Sequence, residues 1–78
     1  MIVAGVVIQT LSGAAGEVAR SVDGTSGLEV QGHDGNQRVA ALWRAVEGST
    51  LETLSELLVA SNERVLGVFP VYVGDIDV

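Results

Sequence analysis

Cysteine and lysine are both absent from the 78-residue chain. Without cysteine there is no disulfide framework, no thiol nucleophile and no thiolate metal ligand, which agrees with a reducing compartment. Four arginines stand against ten carboxylates, and the net charge of −6 repels phosphate backbones. We therefore expect no nucleic acid among the partners, and the charge favours basic partners instead.

Aromatic residues and histidine are almost as scarce, with one each of Phe, Trp, Tyr and His. The core must consist of Val, Leu, Ile and Ala, which pack well but offer no platform for stacked bases. The single histidine, His33, stands beside Asp34 in a turn sequence and has neither a catalytic partner nor a second histidine for a metal. We expect an exposed histidine, no enzyme activity, no cofactor and no metal.

An apolar run, IVAGVVI, follows Met1 and is interrupted only at Gln9. This unbroken run predicts a strand over Ile2 to Thr10 with both faces covered, in the middle of a sheet. It is too short to span a bilayer, and it lacks the basic region and the cleavage site of a signal peptide. We therefore expect no membrane span and a cytoplasmic location.

Apolar side chains at three- and four-residue spacing predict two helices. The first covers Ala14 to Val22 and takes Ser12 as its capping residue. The second covers Thr50 to Ser61 and begins with a capping box at Ser49. It has the stronger apolar stripe of the two, formed by Leu51, Leu54, Leu57 and Leu58.

Alternation of apolar and polar residues predicts two strands joined by a hairpin. The strand over Leu28 to His33 has one wet face, as expected for a sheet edge. Its polar face carries Glu29, Gln31 and His33. Asp34 to Asn36 is a turn sequence, because these residue types tolerate positive φ or bond their own backbone. The next strand is expected over Arg38 to Val46, with Val39, Ala41, Trp43 and Ala45 on one face and Arg38, Ala40, Leu42 and Arg44 on the other.

The last strand is predicted over Val65 to Val73, and Pro70 within it belongs at an edge or a bulge because it cannot donate a ladder hydrogen bond. The order strand, helix, strand, strand, helix, strand is the split βαβ plan. We predict one α+β, ferredoxin-like domain over residues 1–74, with a four-stranded antiparallel sheet and both helices on one face. Residues 75–78 are expected to form a frayed acidic tail.

The sheet face away from the helices is expected to be unusually apolar. Such a face needs a cover, either a second copy of the chain in a homodimer or a bound peptide. Gly5 in the central strand would let a peptide approach closely, while Glu29 at one rim and Glu47 or Asp75 at others would meet basic residues. The residues expected to contact a peptide are Val3, Gly5, Val7, Gln9, Ala40, Leu42, Arg44, Phe69, Val71 and Glu29.

Three segments together resemble the NapD family: GVVIQT (Gly5 to Thr10), GLEVQG (Gly27 to Gly32) and VLGVFPVYVG (Val65 to Gly74). Members of that family are small cytoplasmic chaperones that bind the twin-arginine signal peptide of the periplasmic nitrate reductase catalytic subunit. The resemblance covers nearly the whole chain. It implies a ferredoxin-like fold, a signal peptide bound on the sheet face opposite the helices, and a precursor held back from export until its cofactor is inserted.

Two other function classes share this fold. A dimeric, small-molecule-sensing regulatory domain of the ACT or Lrp-regulatory type would show a glycine-rich ligand loop at a dimer interface. It would usually carry a DNA-binding or catalytic domain as well, and a chain of this length predicts one domain. A structural assembly subunit would bury the apolar face permanently. The resemblance favours the non-enzymatic chaperone over both.

Overall fold

A computed structural model describes residues 2–25, 27–45 and 49–75, and within these it describes side chains from residue 3 to residue 71. Its elements in chain order are β1 (Ile2–Thr10), α1 (Ala15–Val22), β2 (Leu28–His33), β3 (Arg38–Ala45), α2 (Leu51–Ser61) and β4 (Val65–Asp75). The strands are ordered β2-β3-β1-β4, and all neighbours are antiparallel. The predicted ferredoxin-like α+β fold is confirmed, with β1 and β3 in the centre.

The predicted ends of the strands differ from the structure only at β3 and β4. β3 is assigned to Ala45, and Val46 lies outside the described residues. β4 continues to Asp75, the first residue of the predicted tail. The rest of that tail, residues 76–78, also lies outside the described residues.

The first backbone N–H of α1 is paired with a distant loop and not with the predicted Ser12. Ala14 precedes the helix and makes no side-chain cap. Ser12 Oγ instead hydrogen-bonds Asn36 Oδ1 at 3.0 Å, and the same oxygen accepts from Gly13 N at 2.9 Å. The Asn36 carbonyl then accepts the otherwise unpaired N–H of Ala15 at 3.1 Å. The prediction of Ser12 as the cap is therefore wrong.

The start of α2 has a side-chain cap one residue later than predicted. Thr50 has an extended backbone, and its Oγ1 accepts from Thr53 N at 3.1 Å. That bond satisfies the third N–H of the helix, as a capping threonine does. The capping residue is thus Thr50 and not Ser49.

One apolar core fills the space between the sheet and the two helices. α1 buries four of its eight residues, Ala15, Val18, Ala19 and Val22. α2 buries only Leu54 and Leu58, while Leu57 is 50% exposed. The prediction that α2 has the stronger apolar stripe is therefore wrong, since Leu57 of that stripe is half exposed.

The placement of the helices explains this difference. α1 contacts β1, β2 and β3, whereas the main contact of α2 is with β4, an edge strand. α2 therefore leaves a gap of about 400 Å³ beside the end of β3, and Leu57 faces that gap together with Trp43. Neither helix in the described residues has the length and apolarity that crossing a membrane requires.

A β-bulge in β2 moves His33 to the helix side of the sheet. Gln31 is an extra residue between two pairs of the β2–β3 ladder, so the alternation shifts by one position. His33 then pairs with buried Val39. A Cβ on Gly16 of α1 would lie 3.3 Å from His33 Cε1, so this glycine makes room for the imidazole. His33 is exposed as predicted, but its predicted position on the polar face is wrong.

Pro70 lies in edge strand β4 beside a bulge at Val71, as its lack of an N–H predicts. The N–H of Val68 points away from β1, since it donates to Ser55 Oγ of α2 at 3.3 Å. Pro70 lies two residues after Val68 and pairs with β1 in the same way, so its nitrogen also points away from β1. The donor that proline removes is therefore one at the outer edge of the sheet, and no bond to β1 is lost.

Candidate functional site

The sheet face away from the helices, called the open face below, combines side chains from all four strands. Across β1 and β3 the register pairs Gly5 with Leu42 and Val7 with Ala40. Val7 also pairs with Phe69 of β4, and Leu42 pairs with Glu29 of β2. This face holds the whole set expected to contact a peptide: Val3, Gly5, Val7, Gln9, Ala40, Leu42, Arg44, Phe69, Val71 and Glu29.

A depression of about 320 Å³ lies in the middle of the open face. Gly5 lines it and is itself buried. Because glycine has no side chain, the surface is lowest at this point of the central strand, and a ligand approaches the backbone more closely here than elsewhere. The side chains around it are Val7, Ala40, Leu42, Val71 and Gln31.

The most exposed apolar side chains of this face belong to β4. Phe69 is 54% exposed and Val71 is 64% exposed. The Phe69 ring lies over Gly67, since a Cβ on that glycine would be 3.5 Å from the ring Cζ. Gly67 thus leaves room for the ring to lie along the strand. The apolar surface therefore continues from the depression along β4 toward the end of the sheet that holds Gln9.

The charges of the open face differ from those of the whole chain. Arg38 and Arg44 stand at the two ends of β3, and Glu29 is the acidic residue opposite β3 on β2. Glu17 lies on α1, and Glu52 and Glu56 lie on α2, on the other side of the sheet. Among the side chains that the structure describes, the carboxylates are therefore not concentrated where a basic ligand was expected to bind. Glu47 and the side chain of Asp75, which were also expected at the rim, lie outside the described residues.

Glu29, which the sequence suggested as a partner for basic ligands, already has a basic partner within the sheet. Its Oε2 lies 3.4 Å from Arg44 Nη2, and both side chains are more than half exposed. The two residues are diagonal neighbours on adjacent strands, because Glu29 faces Leu42 and not Arg44 in the register. An exposed pair of this kind contributes about 0.2–1 kcal/mol at most, so solvent or a ligand can replace it readily.

The hairpin that sets this register is held by Asp34. Its Oδ1 accepts from the backbone N–H groups of Asn36, Gln37 and Arg38 at 2.8, 3.0 and 3.1 Å. The bonds from Asn36 and Arg38 do most to keep the pKa of this exposed carboxyl below its ordinary value. Gly35 has a φ of +76°, as the turn prediction requires.

Gln31 and Arg38 are open-face residues that were not expected to contact a ligand. Gln31 lines the depression because the bulge leaves it without a partner in the ladder. Arg38 shares its face with Ala40 and Leu42 through strand alternation, and this was the signal that pointed to it. Polar residues at a rim fix a ligand's orientation more than its affinity.

Three larger depressions lie on the helix side, and one of them, of about 460 Å³, lies between α1 and the end of α2. Another of about 400 Å³ lies between α2 and the end of β3, and a third of about 560 Å³ lies between α2 and β4. The depression of about 400 Å³ is lined by Leu57, Trp43 and Arg44 among others. Within residues 2–25, 27–45 and 49–75, no group of three or more His, Cys, Asp or Glu side chains has the spacing of a metal site.

The open face thus combines an apolar centre, a close approach to the backbone at Gly5, and a weak ion pair at one rim. Such a surface has the chemistry to bury an apolar segment by contact and to orient it by charge. Comparisons of the chain with protein-family models, with curated proteins and with solved structures found no match.

Proposed function

We propose that the protein is a non-enzymatic chaperone whose open face binds the twin-arginine signal peptide of a periplasmic nitrate reductase precursor. In the cytoplasm it would hold back the export of that precursor while the cofactor is inserted. The observation that carries this proposal is the apolar open face, where Phe69 and Val71 are more than half exposed beside the depression at Gly5. The resemblance of three segments to the NapD family supports this choice of ligand.

The sheet edges support binding on the face and not strand addition. A peptide that adds a strand needs a row of free N–H and C=O groups along a straight edge. At the β4 edge Pro70 removes one such donor, and the N–H of Val68 is taken by Ser55 of α2. At the β2 edge the bulge at Gln31 bends the strand. Both edges are thus unsuited to a long added strand, and the face is the remaining large apolar surface of the sheet.

The affinity should be spread over several side chains and not depend on one. Complete burial of a Phe or Val side chain is worth about 1.5–3 kcal/mol, and Phe69 has roughly half of its surface still to bury. Covering its ring therefore contributes about 1 kcal/mol, and Val71, Leu42 and Val7 add similar or smaller amounts. Charge mainly orients the ligand, because Glu29 is exposed and screened by solvent. Raising the salt concentration should weaken binding only modestly.

Titration of a fluorescently labelled twin-arginine peptide by anisotropy tests the proposal. Leu42→Glu places a charge in the centre of the open face and should abolish binding, since the charge would be buried under the apolar part of the peptide. Leu57→Glu makes the same chemical change at an exposed leucine on the helix side and should leave binding unchanged. Equal affinities of the two variants, or no binding by the wild type, would reject the proposal.

A homodimer that covers the open face is the alternative favoured by the same exposed side chains. Two copies packed sheet to sheet would bury Phe69 and Val71 without any peptide. Sedimentation velocity at micromolar and at tenfold higher concentration separates the two cases. A concentration-dependent dimer that Leu42→Glu dissociates and that the peptide does not disrupt would favour the structural subunit or a regulatory domain of the ACT or Lrp-regulatory type.

A further inference from the structure

We infer that Arg44 acts as an internal competitor for a ligand arginine, occupying Glu29 when the open face is empty and releasing it when a guanidinium group of the ligand binds. This inference rests on the proposed function, since it requires a basic ligand on the open face. It makes Arg44 a residue that determines specificity. The face then favours ligands that supply their own cation at the position of Glu29.

The geometry of the pair agrees with such an exchange. A single contact of 3.4 Å joins Arg44 Nη2 to Glu29 Oε2, and the side chains are 61% and 55% exposed. A paired arginine that binds a carboxylate firmly uses two parallel hydrogen bonds at about 2.7–2.9 Å. The Glu29 carboxylate therefore keeps acceptor capacity for a better-placed donor. Because it lies opposite Leu42, it is next to the depression that an apolar segment would fill.

The backbone beneath Arg44 is fixed, so that only its side chain has to move. Arg44 N donates to the Gly27 carbonyl at 3.0 Å. A Cβ on Gly27 would lie only 2.6 Å from the Arg44 carbonyl oxygen, which shows how closely the two backbones approach. Arginine is a long side chain whose planar head exchanges partners without moving the backbone. Displacement of Arg44 from Glu29 therefore leaves the sheet intact.

Asp34, a second carboxylate that the structure describes near the open face, is not available in the same way. Asp34 lies in the hairpin turn near Arg38, and its Oδ1 already accepts three backbone N–H groups. A ligand that took this oxygen would open the turn. Arg38 and Arg44 are six residues apart on one strand, which is about 20 Å at the usual rise of about 3.3 Å per residue. Among the carboxylates described on or beside this face, Glu29 is the one whose partner is a replaceable side chain.

The competition has a direction that an experiment can detect. Removing the Arg44 guanidinium frees Glu29 and also removes a positive charge that repels a basic ligand. Affinity for a twin-arginine peptide should rise by about 2- to 5-fold, the range expected from an exposed ion pair. A peptide with both arginines replaced by glutamine does not use Glu29, so its affinity should stay the same.

The test compares Arg44→Gln with Arg38→Gln in anisotropy titrations of both peptides at low salt. Arg38→Gln is the matched control because it removes an equal charge from the same strand and face, at the end away from Glu29. We expect Arg44→Gln to bind the twin-arginine peptide about 2- to 5-fold more tightly and Arg38→Gln to change the affinity by less than about 2-fold. In a Glu29→Gln background the gain from Arg44→Gln should disappear.

The outcomes separate this inference from the proposed function. If the wild type binds the twin-arginine peptide and Arg44→Gln binds equally or more weakly, the competition is rejected while the proposed function stands. A gain that persists without Glu29, or that Arg38→Gln reproduces, is a general charge effect and also rejects it. If the wild type does not bind the peptide, the proposed function is rejected, and the competition is rejected with it.

Discussion

Gly27 packs against the backbone of Arg44, a residue of the open face. Replacing Gly27 by alanine should therefore change both the stability of the sheet and the position of Arg44. Gly27 has a φ of +80°, and its missing Cβ would lie 2.6 Å from the Arg44 carbonyl oxygen. Real Cβ atoms do not approach a backbone oxygen so closely, so the backbone at the start of β2 or the end of β3 has to move. That movement would strain the hydrogen bond from Arg44 N to the Gly27 carbonyl, which is 3.0 Å long.

Gly24 provides the control for this prediction because it differs in one respect only. Its φ is +78°, but nothing lies within 4 Å of a Cβ built there. Gly24→Ala therefore measures the cost of an L-residue at positive φ, which is about 1–2 kcal/mol. Gly27→Ala should lose that amount together with the cost of a broken backbone contact, about 1–3 kcal/mol more. A 78-residue domain has a total stability of about 4–12 kcal/mol, so the difference is large.

Urea unfolding followed by circular dichroism gives both free energies of unfolding. The midpoint should fall further for Gly27→Ala than for Gly24→Ala, with the same dependence on urea concentration for both. Peptide affinity should change in Gly27→Ala, because Arg44 and its partner Glu29 shift with the backbone, and it should be unchanged in Gly24→Ala. Equal losses of stability in the two variants would mean that the close approach to Arg44 has no energetic weight, and would refute the reasoning.

Three further predictions follow from burial, exposure and charge. Leu58→Ala should lower the free energy of unfolding by about 2–5 kcal/mol in urea, since Leu58 is 1% exposed, whereas Leu57→Ala should cost less than about 1 kcal/mol. Phe69→Ala should weaken binding of the twin-arginine peptide in anisotropy titrations by about 5-fold, and a change in unfolding free energy above about 1 kcal/mol would place its ring in the core instead. The native pKa of Asp34 lies below its ordinary value of 3.8. The stability that the charged carboxylate contributes is therefore present above that pH and is lost as the pH falls through the native pKa. Asp34→Asn should accordingly be destabilised less by acid than the wild type in thermal melts below about pH 4.

The order of elements and the faces of β1 and β3 were predictable because they depend on local periodicity alone. The alternation in β3 placed Val39 and Ala41 on one face and Ala40 and Leu42 on the other, and the structure confirms this. The side of His33 was predicted wrongly because the strand was assumed to be regular, although the glycine inside it, Gly32, is of the kind that often marks a bulge.

The other differences between prediction and structure arise because contacts between distant parts of the chain decide these features. Whether Leu57 is buried depends on how closely α2 packs against the end of β3, where a depression of about 400 Å³ remains, and a stripe of leucines does not reveal this. Serine is a common helix cap, but the Ser12 hydroxyl is hydrogen-bonded to the side chain of Asn36 in the distant hairpin. The pair of Arg44 and Glu29 likewise depends on the register of two strands, since the residues are 15 positions apart in the chain.

The described carboxylates lie on both sides of the sheet, and those on the helix side contribute little to the electrostatic field at the open face. Glu17, Glu52 and Glu56 lie on the helices, and a helix layer packed on a sheet separates them from the open face by about 10 Å or more. The Debye length is about 8 Å at physiological ionic strength, so these carboxylates act weakly on a ligand bound at the open face. Among the carboxylates whose side chains the structure describes, Glu29 is therefore the one placed to meet a basic ligand on the open face, beside the apolar contacts around Gly5. This is why the competition by Arg44 for that carboxylate matters to the proposed function.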